Sequence, residues 1–502
     1  MSLKESYNKL TSLIEETLLI GTIQNIINWD FETYMPPKGV EQRAKQLAYL
    51  AKIFHEKTTD PVIGELLKAI IEHPEYETLA DFEKRNLYLI KREYEKETRV
   101  PSELAAKIAA QSAKTIQIWK EAKKEKNYLL YKPELNKILE LTKKRAHFIN
   151  PNLEPFDVLL DEFEPGMTSS RITELFNELK AGLIPLIERC VTSSNQPDPS
   201  LLKRSCPIEI QKKLSKDIAK LVKYDLERGS INETEHPFTT GYYDDVRITT
   251  HYYENDFTDS FYSIMHEAGH AIYEQNLNRD FLYTSVGNYC SLGIHESQSR
   301  FIENIIGRSP EFWEYYLPIF KTITGEIFSD IDIYSIVQAI NYVTPSKIRV
   351  TADEVTYCLH IIIRFEIERD LLTGKISVDE LPSIWNRKYK DYLGVDIEHD
   401  SEGVMQDTHW AGGAFGYFPT YALGNIYNAQ MLNAIRKDIP DFDELIKKGQ
   451  LTSIINWLIE KVHKPANMYN PPDLMKRITG EEINPKYFIQ YLAEKYSKIY
   501  GF

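Results

Sequence analysis

Apolar residues return at helical spacing through most of the chain. Residues 38–58, "KGVEQRAKQLAYLAKIFHEKT", place them three and four positions apart with good helix formers between. The same period runs through 76–97, 102–126, 133–149, 171–190, 208–228, 353–373 and 484–498. Prolines cluster between these stretches, as in "YMPPKG", "NPNLEPFD" and "SSNQPDPS". The last of these is the best linker candidate, although strong patterning resumes soon after it. No repeat or low-complexity segment is present. Residues 236–256, "HPFTTGYYDDVRITTHYYEND", break the helical period: they are rich in Thr, Tyr and Val, and a turn signal lies within them. This predicts a short hairpin or edge strand. The expected fold is mainly α, with a small sheet just ahead of the next helix. Residues 1–502 are read as one domain, with room for two helical lobes.

That next helix carries the chemistry. "NDFTDSFYSIMHEAGHAIYEQNL" has capping residues ahead of it (Asn255, Asp256, Thr258) and apolar residues throughout. On a helix, residues four apart differ by ~40° in direction and ~6 Å in rise. His266 and His270 therefore point the same way and can meet one zinc ion. Glu267, ~100° round, stands beside the metal, where it can hold a metal-bound water and take its proton. With 12 histidines in 502 residues, chance would place H-E-x-x-H about 0.03 times in such a chain.

A catalytic zinc takes three protein ligands and keeps a position open. The subclass with a third histidine six residues on is excluded, because that position is Asn276 and the glycine position is Tyr273. "SLGIHESQSRFIENIIG", 291–307, predicts a returning helix with Ile294, Phe301, Ile302, Ile305 and Ile306 as its apolar face and Glu296, Arg300 and Glu303 as a polar stripe. Glu296 is the chosen third ligand. Its competitor Glu274 is two turns from His266, ~12 Å, too far to share one ion. Arg300 is placed to orient the Glu296 carboxylate, and Glu303 and His295 are candidates for outer contacts to the ligands.

In order, the chain contains "HPF" (236–238), "DVRIT" (245–249), "HEAGH" (266–270), "HESQ" (295–298), "IRVTAD" (348–353) and "GVMQDTHW" (403–410), with "NWDFETYMPPKGVEQRAKQLAYL" near its start. These motifs resemble the carboxypeptidase Taq family of metallocarboxypeptidases over nearly the whole length. The resemblance implies a neurolysin-like helical fold with a deep cleft, removal of single C-terminal residues from peptides, one divalent ion (zinc, or cobalt as the alternative) and a homodimer. The spacing alone implies only metal-assisted hydrolysis.

Amide hydrolysis also needs a donor for the carbonyl oxygen. "GVMQDTHWAGGAFGYFPTYALGN" offers His409, Tyr417 and Tyr421; Tyr421 with His409 is the expected pair, and glycines 412, 413, 416 and 424 read as a flexible segment. A free carboxylate calls for an arginine fork. Arg349 is the first candidate and Arg247 the second, each with a structural alternative as a salt-bridge partner of Asp353 or Asp245. His236 is a candidate for lining a substrate subsite.

Apolar residues at 42% and charged residues at 27% describe a folded chain. A net charge of −14 argues against nucleic acid or an anionic membrane as the main partner. No run approaches the ~18 apolar residues of a membrane span. The start, "MSLKESYNKL", lacks the apolar core of a signal peptide. The four cysteines (190, 206, 290, 358) form no C-x-x-C pair and read as reduced thiols. Cytoplasmic location is expected, as are peptide substrates. The rivals are an oligopeptidase or endopeptidase on the same scaffold, and a non-catalytic scaffold around a structural metal. The latter usually needs four protein ligands, often cysteines, and none lies near His266 in sequence.

Overall fold

A computed structural model describes residues 1–502. The chain is mainly helical, with one three-stranded sheet. It opens on a helical hairpin, Leu3–Thr33 and Val40–Thr58, turned by the Pro36-Pro37 break. Ser2 and Glu5 form a capping box that satisfies the first free N–H groups of the hairpin. Most of the periodic stretches fold as expected, with shifted ends. The stretch 76–97 becomes Asp81–Arg99, because Tyr76–Thr78 closes a single tight turn first. The 133–149 helix starts at Tyr128, capped by the Asn127 side chain, and runs through Pro133. The 208–228 stretch is helical only over Ile208–Leu221. Beyond it, Tyr224 turns inward and its hydroxyl donates to Val246 O at 2.6 Å, drawing the chain toward the sheet.

The sheet has the order β1 (Ile231–Glu233), β3 (Asp245–Thr250), β2 (Thr239–Tyr242). β2 and β3 form the expected antiparallel hairpin, with Tyr242 opposite Asp245, and β1 joins β3 in parallel. Gly241 sits at φ +132° with Asp245 O where a Cβ would be, so only glycine fits there. Val246 and Ile248 are fully buried on β3. Asn232 donates to the Tyr34 hydroxyl at 2.7 Å and Thr234 to Glu32 O at 3.2 Å, fixing the sheet to the end of the first helix.

The apolar interior is one large cluster running from Ala122 to Tyr500, plus a small one built from Leu3, Tyr7, Leu10, Ile63, Leu66, Leu67, Ile70, Leu87 and Ile90. Arg85 ties the small cluster to the main body through Asn467 O (2.8 Å) and Asn470 (2.9 Å). The linker candidate "SSNQPDPS" separates nothing. Cys190 and Leu201, on either side of it, lie in the same cluster, and Ser193 and Asn195 bond Tyr500 O and Ile499 O. No helix is long and apolar enough to cross a membrane.

Candidate metal centre and active site

The histidine helix is Phe257–Gln275. Phe257 and Phe261 anchor its first turns in a nest of Trp313, Tyr316 and Phe320 rings. Asp256 precedes it, but its carboxylate takes the Thr258 hydroxyl (2.5 Å) and Lys203 (2.6 Å) instead of a backbone N–H. The glutamate helix, Leu292–Arg300, crosses the histidine helix at Gly269, where a Cβ would lie 2.6 Å from Gln298 O and Ser299 Cα. On its other side it meets the helix Pro419–Asp438 at Gly424, where a Cβ would lie 2.7 Å from Glu296 Cγ. Two glycines thus let the glutamate helix lie close against both neighbours, one of them at Glu296. This corrects the reading of Gly424 as part of a flexible segment: it is buried in a helix, at a close crossing.

The expected single α-helix over 291–307 is also corrected. After Arg300 it widens into a π turn, Phe301–Ile306, a distortion that often marks functional sites. Ile294, Phe301, Ile302, Ile305 and Ile306 are buried as expected. So are Glu296 (5% exposed) and Glu303 (8%), which excludes a solvated charged face.

His266 Nε2 lies 3.6 Å and His270 Nε2 3.5 Å from Glu296 Oε2, and all three donor atoms fall within 4.8 Å of one another. A tetrahedral ion with bonds of about 2.1 Å sets its ligands about 3.4 Å apart. Two imidazoles and a carboxylate at these separations fit such an ion. Each of the three donor side chains is held from behind. His266 Nδ1 meets Glu303 at 2.8 Å, and His270 Nδ1 meets His295 Nδ1. His295 Nε2 meets Glu274 at 2.9 Å, so Glu274, the rejected ligand, braces a brace. Arg300 Nε donates to Glu296 Oε1 at 2.8 Å and Nη1 to Glu303 at 3.2 Å, and the Ser299 hydroxyl donates to Glu296 Oε2 at 3.1 Å.

Burial opposes ionisation of Glu296, but Arg300 and His266 outweigh it and hold the carboxyl well below its usual range. Burial, with His295 beside it, pushes His270 down to about 3, so its imidazole is neutral and can ligate. Glu267 is buried, and burial pushes its carboxyl up. Its Oε2 accepts from the Thr239 hydroxyl of β2 at 2.6 Å.

The other sequence candidates separate into two groups. Arg349, His409 and Tyr421 are brought together: the Arg349 guanidinium lies 5.1 Å from the Tyr421 ring and the His409 and Tyr421 rings are 6.3 Å apart. Burial pushes His409 down to about 4, and its Nδ1 is buried with no protein partner. Neither Arg247 nor His236 bonds to any of these three. Arg247 makes a two-point pair with Asp245 (2.7 and 2.8 Å) and lies over the Trp29 ring at 4.2 Å, clamping β3 to the first helix. His236 is exposed on the loop between β1 and β2.

Four participants escaped the sequence reading: Thr239, Tyr357, Arg364 and Asp407. Asp407 lies inside "GVMQDTHW", a motif that carries the family resemblance and supplies His409. It pairs with Arg349 Nε and Nη2 (3.0 and 2.9 Å) and with Arg364 Nε (2.7 Å). The partner of Arg349 is therefore Asp407, where Asp353 was the structural alternative; the Asp353 carboxylate instead accepts from Val355 N and Thr356 N, closing the turn that leads into the helix Tyr357–Leu372. Burial raises the Asp407 carboxyl, but the two guanidiniums override it and hold it well below its usual range. Asp407→Asn leaves two buried cations short of a counter-charge, which should cost about 3–5 kcal/mol at neutral pH by denaturant unfolding. A depressed carboxyl stabilises the fold above its unfolded pKa of about 3.9, and this stability is lost as pH falls. The gap between variant and wild type should therefore narrow below about pH 4.

Comparisons with known proteins place the chain in a family. The family model described as carboxypeptidase Taq (M32) metallopeptidase matches residues 9–496. The chain is 42% identical to Carboxypeptidase 1 of Bacillus subtilis over 477 residues, 95% of each chain. It is 37% identical to Thermostable carboxypeptidase 1 of Thermus thermophilus over 511 residues, 100% of each. The crystal structure of an M32 carboxypeptidase from Deinococcus radiodurans superposes with a TM-score of 0.96 at 33% identity, covering 99% of this chain and 100% of that one. With the family matched over nearly its whole length and three metal donors converging beside a buried glutamate, the chain belongs to the carboxypeptidase Taq (M32) metallopeptidases and is a metallocarboxypeptidase.

Proposed function

We propose that His266, His270 and Glu296 hold one divalent ion per chain, zinc first and cobalt as the alternative, and that Glu267 is the general base for release of single C-terminal residues. The observation that carries this is the pair of separations, 3.6 and 3.5 Å, from the two imidazoles to Glu296. When bound, such an ion supplies Lewis acidity, acidifying a water and polarising the scissile carbonyl. Thr239 fixes one oxygen of Glu267, and the other takes the proton from the attacking water and passes it to the leaving amine. His409, neutral and with an unpartnered nitrogen, and Tyr421 donate to the carbonyl oxygen as charge builds on it. Arg349, held by Asp407 and Tyr357, receives the terminal carboxylate through the one N–H left on each Nη. His236 contacts the peptide from the solvent side.

We read residues 1–502 as one catalytic unit, with the small N-terminal cluster as a separate lobe. The four cysteines are free and buried, which supports a reducing compartment and cytoplasmic location. The family likeness supports a homodimer. A chelator is expected to abolish hydrolysis of a blocked dipeptide with a free C-terminus, and zinc or cobalt to restore it. The C-terminal amide of the same peptide should be spared throughout. Activity that survives verified demetallation, or equal cleavage of the amide, would contradict this reading.

A further inference from the structure

Glu164 is a fully buried carboxylate that forms no ion pair within 4.0 Å with a lysine or arginine. It follows the short helix Pro155–Phe163, and three donors converge on it from two other segments. The Tyr427 hydroxyl (2.8 Å) and the Ser291 hydroxyl (3.1 Å) donate to Oε1, and Gly293 N (2.9 Å) donates to Oε2. Ser291 Oγ accepts from Ile294 N at 3.0 Å, which leaves its proton for Glu164. A Cβ on Gly293 would lie 2.6 Å from Glu164 Oε2, so the space is cut for the carboxylate. Ser291 and Gly293 cap and begin the glutamate helix. Tyr427 belongs to Pro419–Asp438, the helix that carries Tyr421 and packs on Glu296 through Gly424.

Burying a carboxylate without a cation is costly, and an apolar residue of similar volume would serve stability as well. Burial pushes Glu164 up to about 7 against the pull of its three donors, which fits a group kept for its bonds. Glu296 follows Gly293 by three residues, just under one turn and about 4.5 Å along the axis. A shift of the first turn therefore moves the ligand directly.

We infer that Glu164 is a positioning residue for the metal centre: by bonding the first turn of the glutamate helix and Tyr427 together, it sets where Glu296 meets His266 and His270. The inference rests on the proposed ligand role of Glu296.

The test is zinc affinity of the full-length protein, by competition with a chromogenic chelator, alongside thermal unfolding of the metal-free form. Glu164→Gln keeps the shape but turns an amide N–H toward a donor; it should bind zinc about 10-fold more weakly, at the lower end of the loss seen when outer partners of a metal site are removed. Leu183→Ala, a fully buried core site on another helix, should lower the unfolding temperature while binding zinc as wild type does. Tyr427→Phe, which removes one bond and keeps the ring, should weaken zinc binding in the same direction if Glu164→Gln does not fold. Wild-type affinity in the foldable variant overturns the inference, as does an equal loss in Leu183→Ala. Glu296→Ala in the same assay separates the two claims. If it loses zinc while the Glu164 and Tyr427 variants do not, the positioning role alone is wrong; if it binds zinc like wild type, the ligand assignment has failed.

Discussion

Glu267→Gln is expected to keep close to one metal ion per chain and to lose turnover by a factor of at least ~10³, within the range for loss of a general base. The amide has the size of the carboxylate, and its oxygen can still accept from Thr239, 2.6 Å away in the wild type. What it cannot do is take a proton. The three ligand side chains, and Glu303, His295 and Arg300 behind them, are untouched. Metal content and rate should therefore separate. Glu296→Ala should behave in the opposite way and lose the metal itself. A metal-free Glu267→Gln protein, or full metal affinity in Glu296→Ala, would mean the two glutamates have been given each other's roles.

Arg349→Ala should lower kcat/KM on free-acid peptides by roughly 30- to 1,000-fold, equivalent to about 2–4 kcal/mol of transition-state binding for a charge-assisted contact in a partly dry site. Two glutamate roles and a metal cut a peptide bond without measuring distance from a chain end; a fixed cation supplies that measure. Arg349 is almost fully buried, and its Nε edge is spent on Asp407. Nη2 also donates to Asp407 and Nη1 to the Tyr357 hydroxyl at 3.3 Å, which leaves one N–H on each for a carboxylate. Metal content should not change, and the preference for free acids over amides should shrink. If the variant keeps the wild-type preference, the anchor lies elsewhere. Arg247 would be tested next, although its own fork is occupied by Asp245.

The helices were legible where an apolar stripe faces the large core, as in Ser169–Thr192, with Ile172, Leu175, Leu179, Leu183 and Leu186 inside. Leu3–Thr33 was missed because only its first turns bury apolar residues; Leu19, Ile23 and Ile26 lie exposed, so no clean stripe forms. The end of the 208–228 stretch was misjudged because Tyr224 leaves the helix for a partner 22 residues away. A π turn carries no compositional mark, and the extra residue in Phe301–Ile306 was invisible for that reason.

Within the site, His266, Glu267 and His270 followed from spacing on one helix, and Glu296 from the reach of a returning one. Thr239 and Asp407 did not, because each meets its partner across 28 or 58 residues of chain with no local period to betray it. Gly269 carries no signal of its own and Gly424 suggests flexibility, until both neighbouring helices are placed and the missing Cβ atoms are seen to be the condition for their approach.

The most direct test is diffraction from crystals of the zinc-loaded protein, recorded on both sides of the zinc absorption edge. The account predicts one anomalous peak per chain, about 2.0–2.2 Å from His266 Nε2, His270 Nε2 and a Glu296 oxygen, with Glu267 beside the ion and not bonded to it. A peak at any other set of residues, or one ligated by Glu267 or Glu274 in place of Glu296, would contradict it.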